Sequence, residues 1–406
     1  MNMRIAYIAP YQGPGLLNSR PIVRNLTLAA NVKMELVAEL LRRNGHNVEV
    51  LSHGAVIEPK AMLYRAFREP DPFDREIPVF YAPALPVRRL NGLSSAIWTL
   101  RLFQRRQKMT PFDAVMIYNL QFPQALCALY AINWLRLPVI LEYEDDALVD
   151  VLGQQQRGWS GGAHLRLAKW ILRSVSGCVG VSPHLLGQVR DDLPNFLLRG
   201  VVGEDILKAG TNSDAERKNW VVFSGTHFRT KGLEPLVEAW ELLKAPGWEL
   251  HIAGHGEKTD LLKKVTRHDK TIVFHGLLNR EENAKLLGMA KVGMNPHDLS
   301  AVPGNVFAFK IVEYLAAGNH VITTPMGALE KDLEAGITYI PDNSPKTIAA
   351  ALRQVLDGRL YERTAPAAAQ RAYGPAAVAK SLNGLLEQVA DRRLRESAAV
   401  AVAARS

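Results

Sequence analysis

Short apolar runs, most of them closed by glycine or proline, alternate along this chain with stretches whose apolar residues recur every three or four positions. Ile5–Ala9 is the first run, stopped by Pro10. After a Gly- and Pro-rich loop from Tyr11 to about Arg24, Leu28, Val32, Leu36 and Leu40 fall on one helical face, and Asn44-Gly45 ends that helix. Val48–Leu51, Ala114–Tyr118, Val139–Leu141 and Cys178–Val181 are further predicted strands. The pattern then restarts: Trp220–Phe223 runs into Ser224-Gly225, Leu250–Ala253 into Gly254, Ile272–Phe274 into Gly276, Val292–Met294 into Pro296 and Val321–Thr323 into Pro325. Helical stretches such as Leu233–Leu243 and Arg280–Ala290 separate these strands.

Strands alternating with helices predict parallel α/β architecture. The restart predicts two successive doubly wound, Rossmann-like domains, residues 1–200 and 201–375, joined through the polar, Gly-containing stretch Arg199–Lys218. Residues 376–406 are expected to form a helix returning toward the first domain, frayed in the Ala- and Arg-rich tail from Leu394. Ligands of open parallel sheets sit beyond the carboxyl ends of the strands, so the expected site is a cleft between two facing sheets, lined by the loops after the strands. That locates a site without naming its chemistry.

Composition narrows the classes. The chain has 406 residues, too many for one ordinary core, with 48% hydrophobic and 22% charged residues. The two cysteines, Cys127 and Cys178, exclude a disulfide scaffold and a Cys-based metal site. Neither a signal peptide nor a membrane-spanning run is legible, which sets the expectation of a cytoplasmic protein, soluble or at the inner face of the membrane. The net charge of +9 suits anionic partners — nucleic acid, anionic lipid or phosphorylated ligands — or simply a solvated basic surface. No nucleic-acid-binding module or dense basic stripe appears, so nucleic acid is not an expected partner.

The chemistry enters through one segment. Phe309-Lys310-Ile311-Val312-Glu313-Tyr314-Leu315-Ala316-Ala317-Gly318, followed by Val321-Ile322-Thr323-Thr324, resembles the donor-site signature of glycosyltransferase family 4. The motifs before it come in the family's order: Ser224-Gly225 with Lys231-Gly232, Ile252-Ala253-Gly254-His255-Gly256, Phe274-His275-Gly276 and Asn295-Pro296. The resemblance covers most of residues 219–340 and is weaker in the first half, at Ala6–Pro10, Leu36–Val50 and Val179–Pro183. It implies the GT-B architecture and retaining transfer from a nucleotide diphosphate sugar to a hydroxyl acceptor. It also implies a metal-independent site in which cations of the protein neutralise the leaving diphosphate, with no cofactor. Lys231 and Lys310 are the matching cations, Arg229 a further candidate, Gly225 and Gly254 line the same site, and His255 either touches the nucleotide or simply sits in a turn. Gly304 precedes the helix and lets backbone amides approach an anion. Glu313 matches the glutamate that receives the ribose hydroxyls, chemistry suited to a carboxylate. The family's other glutamate would fall at position 305, which is Asn305 here. An amide both donates and accepts, so binding can survive, while sugar preference or turnover can change.

The first domain is expected to hold the acceptor, which the basic charge and the family's habits suggest is a lipid-linked or polysaccharide precursor. Its acidic run Leu141-Glu142-Tyr143-Glu144-Asp145-Asp146 follows a buried strand, and Glu144 and Asp145 are the candidates for orienting or deprotonating an acceptor hydroxyl. A hard-cation site and a helix N-cap are the competing readings. Gly13-Pro14-Gly15 loosely matches the family's phosphate-side loop, with Arg20 and Arg24 near its end. Leu93–Lys108, with Trp98, and Trp159–Leu172 combine basic and apolar positions, as membrane-surface helices do and as core helices also do. A sugar-nucleotide epimerase, and a GT-B-like protein that binds without turnover, are the alternative functions.

Overall fold

The computed structural model describes residues 2–20, 28–54, 62–71, 76–85, 87, 91–148, 159–301, 307–327, 329, 331–359 and 366–403. The chain divides into two compact units, one made of Met1–Val201 with Val378–Ser406 and the other of Val202–Ala377.

In the first unit the chain runs β1 (Arg4–Ile8), α1 (Pro14–Ser19), α2 (Leu28–Arg43), β2 (Asn47–Ser52), β3 (Phe67–Glu69), β4 (Val79–Tyr81), α3 (Asn91–Met109), β5 (Ala114–Tyr118), α4 (Phe122–Tyr130), β6 (Val139–Tyr143), α5 (Trp159–Ser174), β7 (Gly177–Gly180), α6 (Pro183–Leu186) and β8 (Asn195–Leu197). The strands form one sheet in the order β3-β4-β2-β1-β5-β6-β7-β8, with only β3 antiparallel to its neighbour. Apolar residues fill β1, β5 and β6 because both faces of the central strands are covered. Met34, Val37 and Leu41 of α2 pack on one face and Phe103, Ala128 and Ile171 of α3, α4 and α5 on the other. The short strands β3, β4 and β8 went unseen in the sequence, where three residues carry no usable period.

The second unit runs α7 (Glu204–Ala209), β9 (Lys218–Ser224), α8 (Leu233–Leu243), β10 (Glu249–Ala253), α9 (Thr259–His268), β11 (Ile272–Gly276), α10 (Arg280–Met289), β12 (Ala290–Asn295), α11 (Lys310–Ala316), β13 (His320–Thr323), β14 (Ile337–Tyr339), α12 (Pro345–Leu356) and α13 (Pro366–Tyr373). Its sheet is parallel throughout, ordered β11-β10-β9-β12-β13-β14. A last helix, α14 (Pro375–Ala403), sends Val378, Leu382, Leu385 and Leu386 into the core of the first unit. It continues to Ala403 where fraying was expected from Leu394, consistent with the high helix propensity of its alanines.

In each sheet the chain direction reverses at one place. The first strands build outward from β1 through β2, and the chain then crosses from β4 to β5 on the other side of β1; in the second unit it crosses from β11 to β12, so the switch lies between β9 and β12. Beyond the carboxyl ends at such a switch point the loops diverge and leave room for a ligand.

Candidate donor and acceptor sites

At the switch point of the second unit, β9 ends at Ser224-Gly225 and β12 at Asn295, with Pro296 and His297 beyond it. The chain leaves β9 through a single turn at Arg229–Lys231. Gly232 then takes φ +70, and a Cβ there would meet the carbonyl oxygen of Pro296 at 1.7 Å, so only glycine lets this turn lie against the exit of β12. Asp298 N donates to Thr230 O at 3.0 Å and ties the two loops together. Lys231 thereby reaches His297, with Nζ 2.9 Å from Nε2.

Lys310 opens α11 and turns its side chain into the same sheet end. Its Nζ lies 4.2 Å from the centroid of the Phe223 ring, and a Cβ at Gly225 (φ +148) would sit 2.6 Å from it. A side chain at Gly225 would therefore displace the ammonium. Among the described residues this buried Nζ has no hydrogen-bond partner. Burial, reinforced by the charge of Lys231, pushes the Lys310 ammonium down to about 7, and burial also lowers Lys231. His297, buried and flanked by both lysines, is held down to about 2 and is neutral. Glu313 lies one turn along α11. Burial raises its carboxyl, opposed by Lys310 and Arg280. Tyr314 anchors the helix: its hydroxyl accepts from Ser224 N at 2.8 Å, and its ring covers Gly293 of β12.

The other predicted residues fall into two sets. Gly254 packs against Gly225, where an added Cβ would lie 1.8 Å from the Gly225 carbonyl oxygen. His255 is exposed, and its carbonyl receives His227 N at 3.0 Å. Arg229 is exposed, and its amide donates to Glu257 Oε1 at 2.7 Å. Gly304 and Asn305 lie outside the described residues, as does Arg24.

The switch point of the first unit carries the opposite charge. Glu142, at the end of β6, is wholly buried and receives the Tyr7 hydroxyl from β1. Burial pushes its carboxyl well up, against the pull of Lys33. Glu144 pairs with Lys33 of α2, whose Nζ also donates to Leu198 O at 3.0 Å. Asp145 accepts from Asn119 Nδ2 at 2.8 Å, while Asn119 Oδ1 accepts from the amides of Glu144 and Asp145 at 2.7 and 3.0 Å. Asp146 lies 3.1 Å from His184 Nε2 and accepts from Gln188 Nε2 at 2.8 Å. The run is followed by a turn, in which Asp146 Oδ1 accepts from Leu148 N at 2.9 Å.

The loop after β1 has its amides committed: Gly13 N donates to the Tyr81 hydroxyl at 2.9 Å and Gly15 N to Glu69 Oε1 at 2.8 Å. They form an internal clasp instead of an open phosphate cradle. Arg20 is buried, donating to the carbonyls of Arg65 and Ala82 at 3.0 and 2.8 Å, so it holds loops together.

Residues 218–358 match the family model described as glycosyl transferases group 1, and residues 29–195 the one described as glycosyl transferase 4-like domain. The chain belongs to the group 1, family-4-like glycosyltransferases. Solved structures place this glycosyltransferase in the GT-B fold. Sucrose-phosphate synthase from Thermosynechococcus elongatus is 15% identical, with a TM-score of 0.68 over 96% of this chain and 100% of that one. HepE from Anabaena, solved in complex with UDP-glucose, is 14% identical, with a TM-score of 0.63 over 95% and 99%. A glycosyltransferase from Rickettsia africae is 14% identical, with a TM-score of 0.63 over 96% and 99%. Among curated proteins none matches the sequence. Sequence reasoning about this glycosyltransferase missed His297, Lys33, Tyr7 and Asn119. Each is legible only through a partner distant in the chain, such as Lys231 for His297, 66 positions away.

Proposed function

We propose that the enzyme transfers a glycosyl group from a nucleoside diphosphate sugar to a hydroxyl acceptor, with retention of configuration and without a metal. One observation carries the donor half: the buried Lys310 ammonium lacks any hydrogen-bond partner among the described residues, beside Lys231 and a glycine whose missing side chain leaves it room. A buried unpaired cation is costly and is relieved by an anion. The diphosphate is that anion, with Lys231 and Lys310 stabilising the charge that develops as the glycosyl bond breaks. Glu313 accepts from the ribose hydroxyls. The UDP-glucose complex of HepE, which shares the fold, supports a nucleotide-sugar donor.

In the acceptor half, Glu144 and Asp145 orient the hydroxyl, and the departing phosphate takes its proton, so no strong protein base is required. A lipid-linked acceptor used in cell-envelope synthesis fits the basic helix α3, where Leu93 and Ile97 are exposed and the Arg101 guanidinium stacks on Trp98. No described helix is long and apolar enough to cross a membrane.

The test incubates the enzyme with UDP-, GDP- and ADP-sugars and polyprenyl-linked or oligosaccharide acceptors, in EDTA, and follows product by mass spectrometry. Glycosylated acceptor is the expected result, lost in Lys231→Ala. Isomerised sugar from donor alone would make the protein an epimerase, and nucleotide binding without product across the panel would make it a silent binding protein.

A further inference from the structure

The partner of Lys231 has a consequence for that donor site. An ammonium has three donors and no lone pair, so in the 2.9 Å contact with His297 the proton lies on Lys231 and the imidazole Nε2 accepts. The ring proton is then on Nδ1, and the imidazole carries no charge. The main chain of His297 is held on both sides, while Nδ1 has no hydrogen-bond partner among the described residues. His297 N donates to Asn295 O at 3.0 Å, and His297 O accepts from Thr324 Oγ1 at 3.0 Å. Only 1% of His297 is exposed.

A lysine side chain has four rotatable bonds, and ordering it costs entropy. Some acceptor must hold it if it is to meet a ligand in one geometry. A carboxylate would hold it more strongly but would cancel its charge. We infer that His297 is a positioning residue for the diphosphate site, a neutral acceptor that fixes the Lys231 ammonium without neutralising it. The inference rests on the donor-site reading above. It explains why this buried position beyond β12 carries an imidazole next to two cations, where an acidic residue would give a more stable ion pair and a weaker anion site. His297 acts through Lys231, whose remaining donors are left for the diphosphate.

The test compares His297→Gln, His297→Leu and His297→Glu in the full chain, by calorimetric titration with UDP, GDP and ADP and with the matching monophosphates. The readout is the ratio of diphosphate to monophosphate affinity, with thermal unfolding measured in parallel. A glutamine places its amide oxygen near the position of Nε2, so His297→Gln is expected to keep the ratio within about threefold. His297→Leu removes the acceptor and is expected to lower the ratio about tenfold, the worth of one hydrogen bond to a charged group. His297→Glu is expected to lower it by about a hundredfold while leaving the unfolding midpoint at or above that of the wild type, because the new carboxylate pairs with Lys231. A purely structural histidine would instead show loss of stability and of affinity together. Equal ratios for His297→Gln and His297→Glu would overturn the inference, and that pair decides the matter even if His297→Leu fails to fold. Absence of nucleotide binding by the wild type would overturn the donor-site reading and this inference with it. Binding by the wild type with a flat ratio across the variants would overturn the role of His297 alone.

Discussion

The two sheets end in opposite ways. At the carboxyl end of the first unit's sheet the charged groups answer one another: Tyr7 with Glu142, Lys33 with Glu144, Asn119 with Asp145, His184 and Gln188 with Asp146. At the matching place in the second unit, the buried Lys310 has no partner among the described residues and Lys231 has only a neutral one. A network that is satisfied internally holds its side chains in place and stabilises the fold. A buried cation left unsatisfied weakens the fold and favours whatever anion arrives. Stability and ligand binding are therefore expected to respond in opposite directions to substitutions at the two sites.

Lys310→Met should separate them most sharply. Transfer is expected to fall by about a thousandfold, the upper range for removing one charge-stabilising donor. The same variant should unfold about 1–3 kcal/mol later, because an unpaired polar group has left the interior. Denaturant unfolding and initial rates on one preparation check both signs. Glu144→Ala should do the reverse to the fold. It leaves Lys33 half-satisfied in a nearly buried position and is expected to cost about 3 kcal/mol, with diphosphate affinity unchanged within error. Loss of diphosphate affinity in that variant would break the contrast.

The pH dependence of binding is the next test. In the free protein Lys310 is protonated only below about 7, against an ordinary lysine value of 10.5. A diphosphate binds the protonated form, so binding takes up a proton and affinity must weaken as pH rises from 7 to 9. The expected slope is up to about tenfold per pH unit. Titrations across that range should show it in the wild type and not in Lys310→Met. The smallest effect is expected at His184→Ala. That histidine is exposed, and losing its contact with Asp146 should change stability by under about 1 kcal/mol.

The legible part of the molecule was the part set by local backbone demands. Gly225 and Gly232 each precede or follow a turn that excludes a side chain, and Lys310 opens a helix. These constraints, with the strand-then-glycine rhythm, mark the donor end of the second unit in the sequence. What stayed hidden depends on pairing across the sheet. Lys33 on α2 meets Glu144 after β6, 111 positions away, and no period or spacing announces it. The acidic run is legible in the sequence, but the partners that hold its side chains are not. Lys33, Tyr7 and Asn119 hold most of its oxygens, while Glu142 Oε1 has no hydrogen-bond partner among the described residues and lies 4.0 Å from Lys33 Nζ. Gly13 and Gly15 show the same effect: the resemblance to the family's phosphate-side loop suggested an anion loop, but Glu69 and Tyr81 occupy the amides.

In the proposed function the sheet end around Lys231 and Lys310 is an anion site for a nucleoside diphosphate. Calorimetric titration of UDP, GDP and ADP in the presence of EDTA, at pH 7 and with Lys310→Met beside the wild type, tests it most directly. One of the three is expected to bind the wild type selectively and at least about a hundredfold more weakly to the variant, the loss of one buried charge-assisted contact. Binding of equal strength to both proteins, or no binding to either, would contradict it.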